Sequence, residues 1–181
     1  MKQDIEYTMS YMLDRTFRKY SERKALAFVG EKPLTYGGME KRMRSLQAFF
    51  QALGIGFGDK VAILSSNQPN WGVSYFALAD MGAVAVPLLP DFSADEVQTI
   101  VAHSESKAVL VSENLRAKVK TLATDTLEHI ISIEDFQLIQ SSSQVQWDEA
   151  RQPEKTAAVQ PDDLVSIIYT SGTTGTSKGV M

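Results

Sequence analysis

The 181-residue chain contains no cysteine, which excludes disulfides and any thiolate-held metal and is compatible with a reducing cytoplasm. It lacks an excess of basic charge: 18 Lys and Arg against 22 Asp and Glu leave a net −4, which argues against a nucleic-acid role. No apolar run approaches the length that spans a membrane, and the N-terminus has no apolar core of a signal peptide. Histidine is scarce. His103 and His129 stand alone, and each reads as a surface or capping residue. No internal repeat is present. What remains is a globular composition, 44% hydrophobic and 22% charged, in a chain long enough to bury the core of one domain.

The apolar spacing predicts an α/β alternation. Met9 to Tyr20 carries Met9, Met12, Leu13, Phe17 and Tyr20 at helical intervals. Ala25 to Val29 reads as a strand and Gly30-Glu31-Lys32-Pro33 as a turn. Thr35 caps a helix with Met39, Met43, Leu46, Phe50 and Leu53 on one face, and Gly54 ends it. Val61 to Leu64 is a short buried strand. An almost wholly apolar helix, started by Asn67 or Asn70 and stopped by Gly82, should be buried on every side, with Trp71 in the core. Ala83 to Leu88 is the next strand, and Ser93-Ala94-Asp95-Glu96 is a capping box. Strands are expected at Ala108 to Val111 and Ile130 to Ile133, helices at Asn114 to Thr124 and Glu134 to Gln140, and a polar surface connection over Ser141 to Gln160. Strands alternating with helices imply parallel βαβ units with right-handed crossovers. Ligands in such sheets bind outside the carboxyl ends of the strands.

The chemistry is concentrated at the end of the chain. Behind the apolar run Leu164 to Tyr169, ten positions hold six hydroxyls (Thr170, Ser171, Thr173, Thr174, Thr176, Ser177), three glycines (Gly172, Gly175, Gly179) and one cation, Lys178. Glycines let backbone N–H groups turn toward an anion, the hydroxyls add donors, and Lys178 adds a charge that phosphate oxygens share. Each charge-assisted bond contributes roughly 1.5–3 kcal/mol, so a few together hold a polyphosphate. A nucleoside-triphosphatase P-loop does not fit. In the frame starting at Gly172, Ser177 replaces the second glycine and Gly179 replaces the magnesium-binding hydroxyl. Asp162-Asp163, just before the apolar run, reads as a solvated pair, and Ser93 and Glu96 are explained by capping.

The segment Tyr169-Thr170-Ser171-Gly172-Thr173-Thr174-Gly175, continued by Lys178-Gly179-Val180, resembles the signature loop of the adenylate-forming superfamily of acyl-CoA synthetases, aryl-CoA ligases, luciferases and peptide-synthetase adenylation domains. Ser177 stands at the family's usual proline and restricts the backbone less. Leu34-Thr35-Tyr36, Gly58-Asp59-Lys60-Val61-Ala62-Ile63-Leu64 with Asn67 and Trp71, and Gly82-Ala83-Val84-Ala85-Val86-Pro87-Leu88-Leu89-Pro90 resemble the family's earlier motifs. Asn70 occupies a common glutamate position, Leu89 a common asparagine position, and Gly37 and Gly38 weaken the first turn of the opening helix.

The resemblance implies part of the large N-terminal domain of an adenylate-forming enzyme. Residues 1–181 would form the N-terminal portion of the AMP-binding domain, ending at the phosphate loop without the C-terminal domain. It implies an enzyme that activates a carboxylic acid with ATP, releases pyrophosphate and passes the acyl group to coenzyme A. Thr170, Ser171, Gly172, Thr173, Thr174, Gly175 and Lys178 would grip the phosphates, with Thr176 and Ser177 shaping the loop. The catalytic lysine and the Mg2+ ligands would lie downstream, so no catalytic or metal residue is expected here and the isolated chain is expected to be inactive. A fatty acid leads as substrate, which would bring transient membrane contact to a cytoplasmic protein; aryl and amino acids follow. A non-catalytic scaffold and a phosphoryl-transfer enzyme stay open.

Overall fold

A computed structural model describes residues 7–155, 158–170 and 178–180. The elements are α1 (Met9–Tyr20), β1 (Lys24–Leu26), β2 (Leu34–Thr35), α2 (Tyr36–Ala52), β3 (Lys60–Leu64), α3 (Pro69–Met81), β4 (Val84–Leu88), α4 (Ala94–His103), β5 (Ala108–Val111), a 3₁₀ segment (Glu113–Val119), β6 (His129–Ser132), β7 (Leu138–Ser141), β8 (Ile168–Thr170) and β9 (Lys178–Val180). A five-stranded sheet has the order β4-β3-β5-β6-β7. Its first four strands are parallel and β7 closes the far edge antiparallel.

Strand alternation builds the two cores. Val61, Ile63, Ala108, Leu110 and Ile131 turn toward α1, α2 and α3. Ala62, Leu64, Val109, Val111 and Ile130 turn toward α4 and the 3₁₀ segment. Side chains on a strand alternate between faces, so continuous apolar runs fit a sheet covered on both. On α3, Val73, Ala77, Leu78 and Met81 are buried, but Trp71, Tyr75 and Phe76 are only partly buried and pack against the core from its margin, so the helix is not buried on every side as expected. Gly82 stops α3 at φ +76°, and a Cβ there would clash with the Phe57 ring. Thr35 Oγ1 accepts from Gly38 N–H at 3.1 Å, and Ser93 with Glu96 forms the full capping box.

Several expectations are corrected. Neither Asn67 nor Asn70 starts α3: Gln68 is the cap residue and Pro69 takes the first helical position, where its missing N–H costs nothing. Asn70 is buried inside the helix, donating to the carbonyls of Ile133 (2.8 Å) and Glu134 (2.9 Å) and accepting from Arg42 Nη1 (3.1 Å). The segment 134–140 is a turn leading into β7, not a helix. Phe136 adopts φ +57° there and is buried, with its ring 5.0 Å from that of Trp147. Pairing with β6 overrides the local helical pattern. The predicted helix 114–124 is the shorter 3₁₀ segment, and the strand at 25–29 is the shorter β1. The connection 141–160 is pinned to the domain: Trp147 Nε1 donates to Ser45 Oγ at 3.3 Å, and Gln51 bonds both backbone groups of Glu154.

His129 is not a surface residue. It opens β6, is only 3% exposed, and bonds Leu53 O through Nε2 (3.1 Å) and Ser141 Oγ through Nδ1 (2.7 Å). A carbonyl only accepts, so Nε2 carries a proton and donates to Leu53 O, and Nδ1 pairs with the Ser141 hydroxyl.

Replacing Asn70 by aspartate sets a carboxylate against two carbonyls. N70D should destabilise the fold by about 1–3 kcal/mol, read as a lowered midpoint in chemical denaturation; an unchanged midpoint would show that these bonds contribute nothing net.

Candidate functional site

The ten-residue chemistry sits on a hairpin stem. Past Asp163, whose Oδ2 accepts from Gln160 N–H at 2.6 Å to make a tight turn, the chain comes alongside β4. Ala85 N–H donates to Val165 O (3.1 Å), and Ile167 N–H donates to Ala85 O (3.0 Å). The bridge between Ala85 and Ser166 is parallel, so the segment runs in the direction of β4, toward the carboxyl end of the sheet. Ligands of open α/β sheets bind at that end. β8 then pairs antiparallel with β9: Ile168 faces Val180, Tyr169 faces Gly179, and Thr170 faces Lys178.

Of the predicted phosphate-binding set, Thr170 is exposed at the end of β8, and the backbone of Lys178 lies opposite it at the start of β9. Ser171, Gly172, Thr173, Thr174, Gly175, Thr176 and Ser177 lie outside the described residues, as does the Lys178 side chain. Both flanks of the stretch are thus held side by side by the stem. Antiparallel partners lie roughly 4.5–5.5 Å apart between Cα atoms.

Tyr169 anchors that stem. β8 alternates exposed, buried, exposed, and Tyr169, 3% exposed, is the residue that enters the core under α4. Its hydroxyl lies 2.7 Å from His103 Nδ1, with the two rings edge to face at 5.8 Å between centroids. Burial pushes the Tyr169 phenol above its ordinary pKa, so it keeps its proton at neutral pH. Gly179 crosses the ring: a Cβ there would sit 3.2 Å from Tyr169 Cζ and 3.1 Å from Ile167 Cγ2. His103 is exposed, as expected for a surface histidine, yet it has a specific partner 66 positions away. Only that contact distinguishes it; its local sequence marks nothing beyond the last turn of a helix.

A concavity of about 620 Å³ opens at the carboxyl ends of β3 and β5 between Ser66, Asn67, Ser112, Asn114 and Glu134. Some of its polar groups bond one another, with Ser112 Oγ donating to Asn114 Oδ1 at 2.7 Å and Asn114 Nδ2 to Ser66 Oγ at 3.4 Å. Among the described residues, no three acidic or histidine side chains cluster as a metal site, and no helix is long and apolar enough to cross a membrane.

A mostly parallel α/β sheet, met at its β4 edge by one parallel bridge, thus leads the chain into a Gly/Ser/Thr/Lys stretch at the carboxyl end of its strands. The chain belongs to the AMP-binding enzyme family, whose sequence profile matches residues 13–181. It is 32% identical over 174 residues to tyrocidine synthase 2 of Brevibacillus parabrevis, covering 96% of this chain and 4% of that protein. It is 32% identical over 154 residues to a long-chain-fatty-acid–CoA ligase of Thermus thermophilus, covering 81% of this chain and 27% of the ligase. Its fold matches an anthranilate CoA ligase solved with anthranoyl-AMP at a TM-score of 0.84 and 23% identity, over 98% of this chain and 35% of that one. The chain therefore spans well under half the length of these proteins.

Gly179→Ala should strain the stem, because the buried Tyr169 ring has little room to yield. Faster amide hydrogen exchange across residues 168–170 and 178–180, without change in β3 or β5, is the expected outcome; unchanged exchange would show that the stem absorbs the methyl.

Proposed function

We propose that this chain is the phosphate-gripping part of an ATP-dependent acid–CoA ligase. The carboxylate of the acid attacks the α-phosphorus of ATP, the bond to the bridging oxygen breaks, and pyrophosphate leaves; the acyl carbon of the resulting acyl-adenylate is then taken by the thiol of coenzyme A, releasing AMP. The observation that supports this reading most is the signature stretch itself, with Thr170 and Lys178 held opposite each other by the β8–β9 stem. Thr170, Ser171, Gly172, Thr173, Thr174, Gly175 and Lys178 grip the β- and γ-phosphates, and Thr176 and Ser177 shape the stretch. Bringing a carboxylate to a polyanion makes charge neutralisation and positioning the dominant needs. The hydroxyl, glycine and lysine donors suit that chemistry. Magnesium would screen the phosphate charge; on the family resemblance alone, its ligands and the catalytic lysine are assigned downstream of this stretch. The 181-residue chain alone is accordingly proposed to be inactive.

A fatty acid is the favoured substrate, on the likeness of Gly82 to Leu88 and Gly58 to Ile63 to acyl-CoA synthetases. This carries with it a cytoplasmic protein with transient membrane contact. Aryl or amino acids are the second reading, supported by 31% identity to a 4-coumarate–CoA ligase and 32% identity to an L-proline–carrier-protein ligase. Carboxylate-dependent ATP–pyrophosphate exchange by the full-length protein, across short, long-chain and aromatic acids and amino acids, tests both. Exchange with long-chain acids is expected; exchange with another class alone would replace the substrate, and exchange with none from a protein that binds ATP would favour a scaffold. Release of ADP and phosphate instead of AMP and pyrophosphate would favour phosphoryl transfer. Lys178→Ala should weaken ATP and pyrophosphate binding by about tenfold or more. Unchanged affinity and exchange rate in that variant would remove the lysine from the assignment.

A further inference from the structure

The phosphate-gripping stretch is anchored from outside itself. Tyr169 is the sole buried residue of β8, so its ring fixes how the stem sits on the domain. Two contacts define that ring. Gly179 covers its face at a distance where no side chain fits comfortably, and His103 meets its hydroxyl at 2.7 Å. His103 closes α4, the helix that packs on the same face of the sheet as Tyr169. A neutral His103 ring with its proton on Nε2 accepts from the Tyr169 O–H, and a ring protonated on Nδ1 donates to the phenol oxygen. The contact therefore exists in either form.

We propose that His103 is a positioning residue: through Tyr169 it fixes the β8–β9 stem and so sets the relative placement of Thr170 and Lys178, the two flanks of the phosphate-gripping stretch. The consequence for ATP rests on the adenylation reading above. Among the described residues, the side-chain hydrogen-bond partner of His103 is Tyr169. His103 acts by removing a freedom of the Tyr169 ring, because a ring held at its face and at its tip cannot swing. Misplacement of groups by about 1 Å is enough to slow positioned chemistry severely, and a single hydrogen bond of this kind corresponds to about threefold to tenfold in an equilibrium.

The test compares the full-length wild-type protein with His103→Ala, His103→Asn, Tyr169→Phe and the double variant H103A/Y169F. Asparagine places a hydrogen-bonding atom near the position of Nδ1 without the ring. Amide hydrogen exchange over residues 168–170 and 178–180 reports the stem without any need for turnover. H103A should speed it by about threefold to tenfold, and H103N should restore it. In pyrophosphate exchange, H103A should raise the KM for ATP by a similar factor and leave the KM for the acid unchanged. The double variant should be no worse than the poorer single one, since both remove the same bond. Wild-type hydrogen exchange in H103A, or a double variant whose losses multiply, would overturn the proposal. So would a loosened stem with unchanged ATP kinetics, which would leave His103 a purely structural residue. If the wild-type protein exchanges pyrophosphate with no acid while H103A still loosens the stem, the positioning role stands and the adenylation reading falls.

Discussion

The candidate site depends on two backbone hydrogen bonds at one residue. Ala85 is second in β4, and its N–H and C=O bond Val165 O and Ile167 N–H. That short parallel contact adds the end of the chain to the sheet and gives the signature stretch its direction. Without it, β8 and β9 would be an isolated two-stranded ribbon, which is marginal in water. With it, the ribbon inherits the stability of a sheet buried on both faces. Ala85 is itself buried, so the two bonds are shielded from competing water, and leaving them unmade would cost more than the bonds contribute net.

The sheet can carry this load because its strands are short and apolar on both sides. Each of β3 and β5 sends alternate residues into two separate clusters, so a one-residue slip would exchange the side chains packed in the two cores. Polar groups inside this arrangement are used as ties. Asn70 bridges α3 to the backbone after β6, and Lys118 Nζ holds the carbonyls of Pro90 (2.6 Å) and Phe92 (2.7 Å) after β4. Both fix chain segments at the carboxyl end of the sheet, where the fold offers its ligand-binding edge.

Much of this was legible in the sequence, for reasons that are local. Thr35, Gly82 and the Ser93–Glu96 box act within one helical turn, so spacing alone reveals them, and α1 runs over the residues its periodicity gives. The family resemblance and the parallel βαβ order were also readable, since a sheet covered on both faces leaves a distinct record of apolar runs between amphipathic segments. The failures share the opposite property. Residues 134–140 look helical until β6 supplies an edge for β7 to pair with. Asn70 looks like a cap until the carbonyls of Ile133 and Glu134 come near. His129 looks solitary, yet its partners are Leu53 and Ser141. Each outcome was decided by a group distant in sequence or by strand pairing, which no local pattern encodes.

The same reasoning explains why the binding stretch and its anchor differ so much in visibility. A polyphosphate is recognised by donors packed into a few consecutive positions, because backbone N–H groups, hydroxyls and one lysine must converge on a small charged object. Convergence writes itself into sequence as composition. Rigidity does not. Donors that converge only after binding must be ordered at the moment of binding, and that loss subtracts from affinity. A stem that already pairs Thr170 with Lys178 takes the closure of the intervening seven residues into folding, where the sheet offsets it. The stem is placed by the Ala85 bonds and by Tyr169, whose ring meets a glycine across the strand and a histidine at the end of a helix. The proposed donors thus sit in one continuous stretch, while the groups proposed to aim them are scattered across the fold.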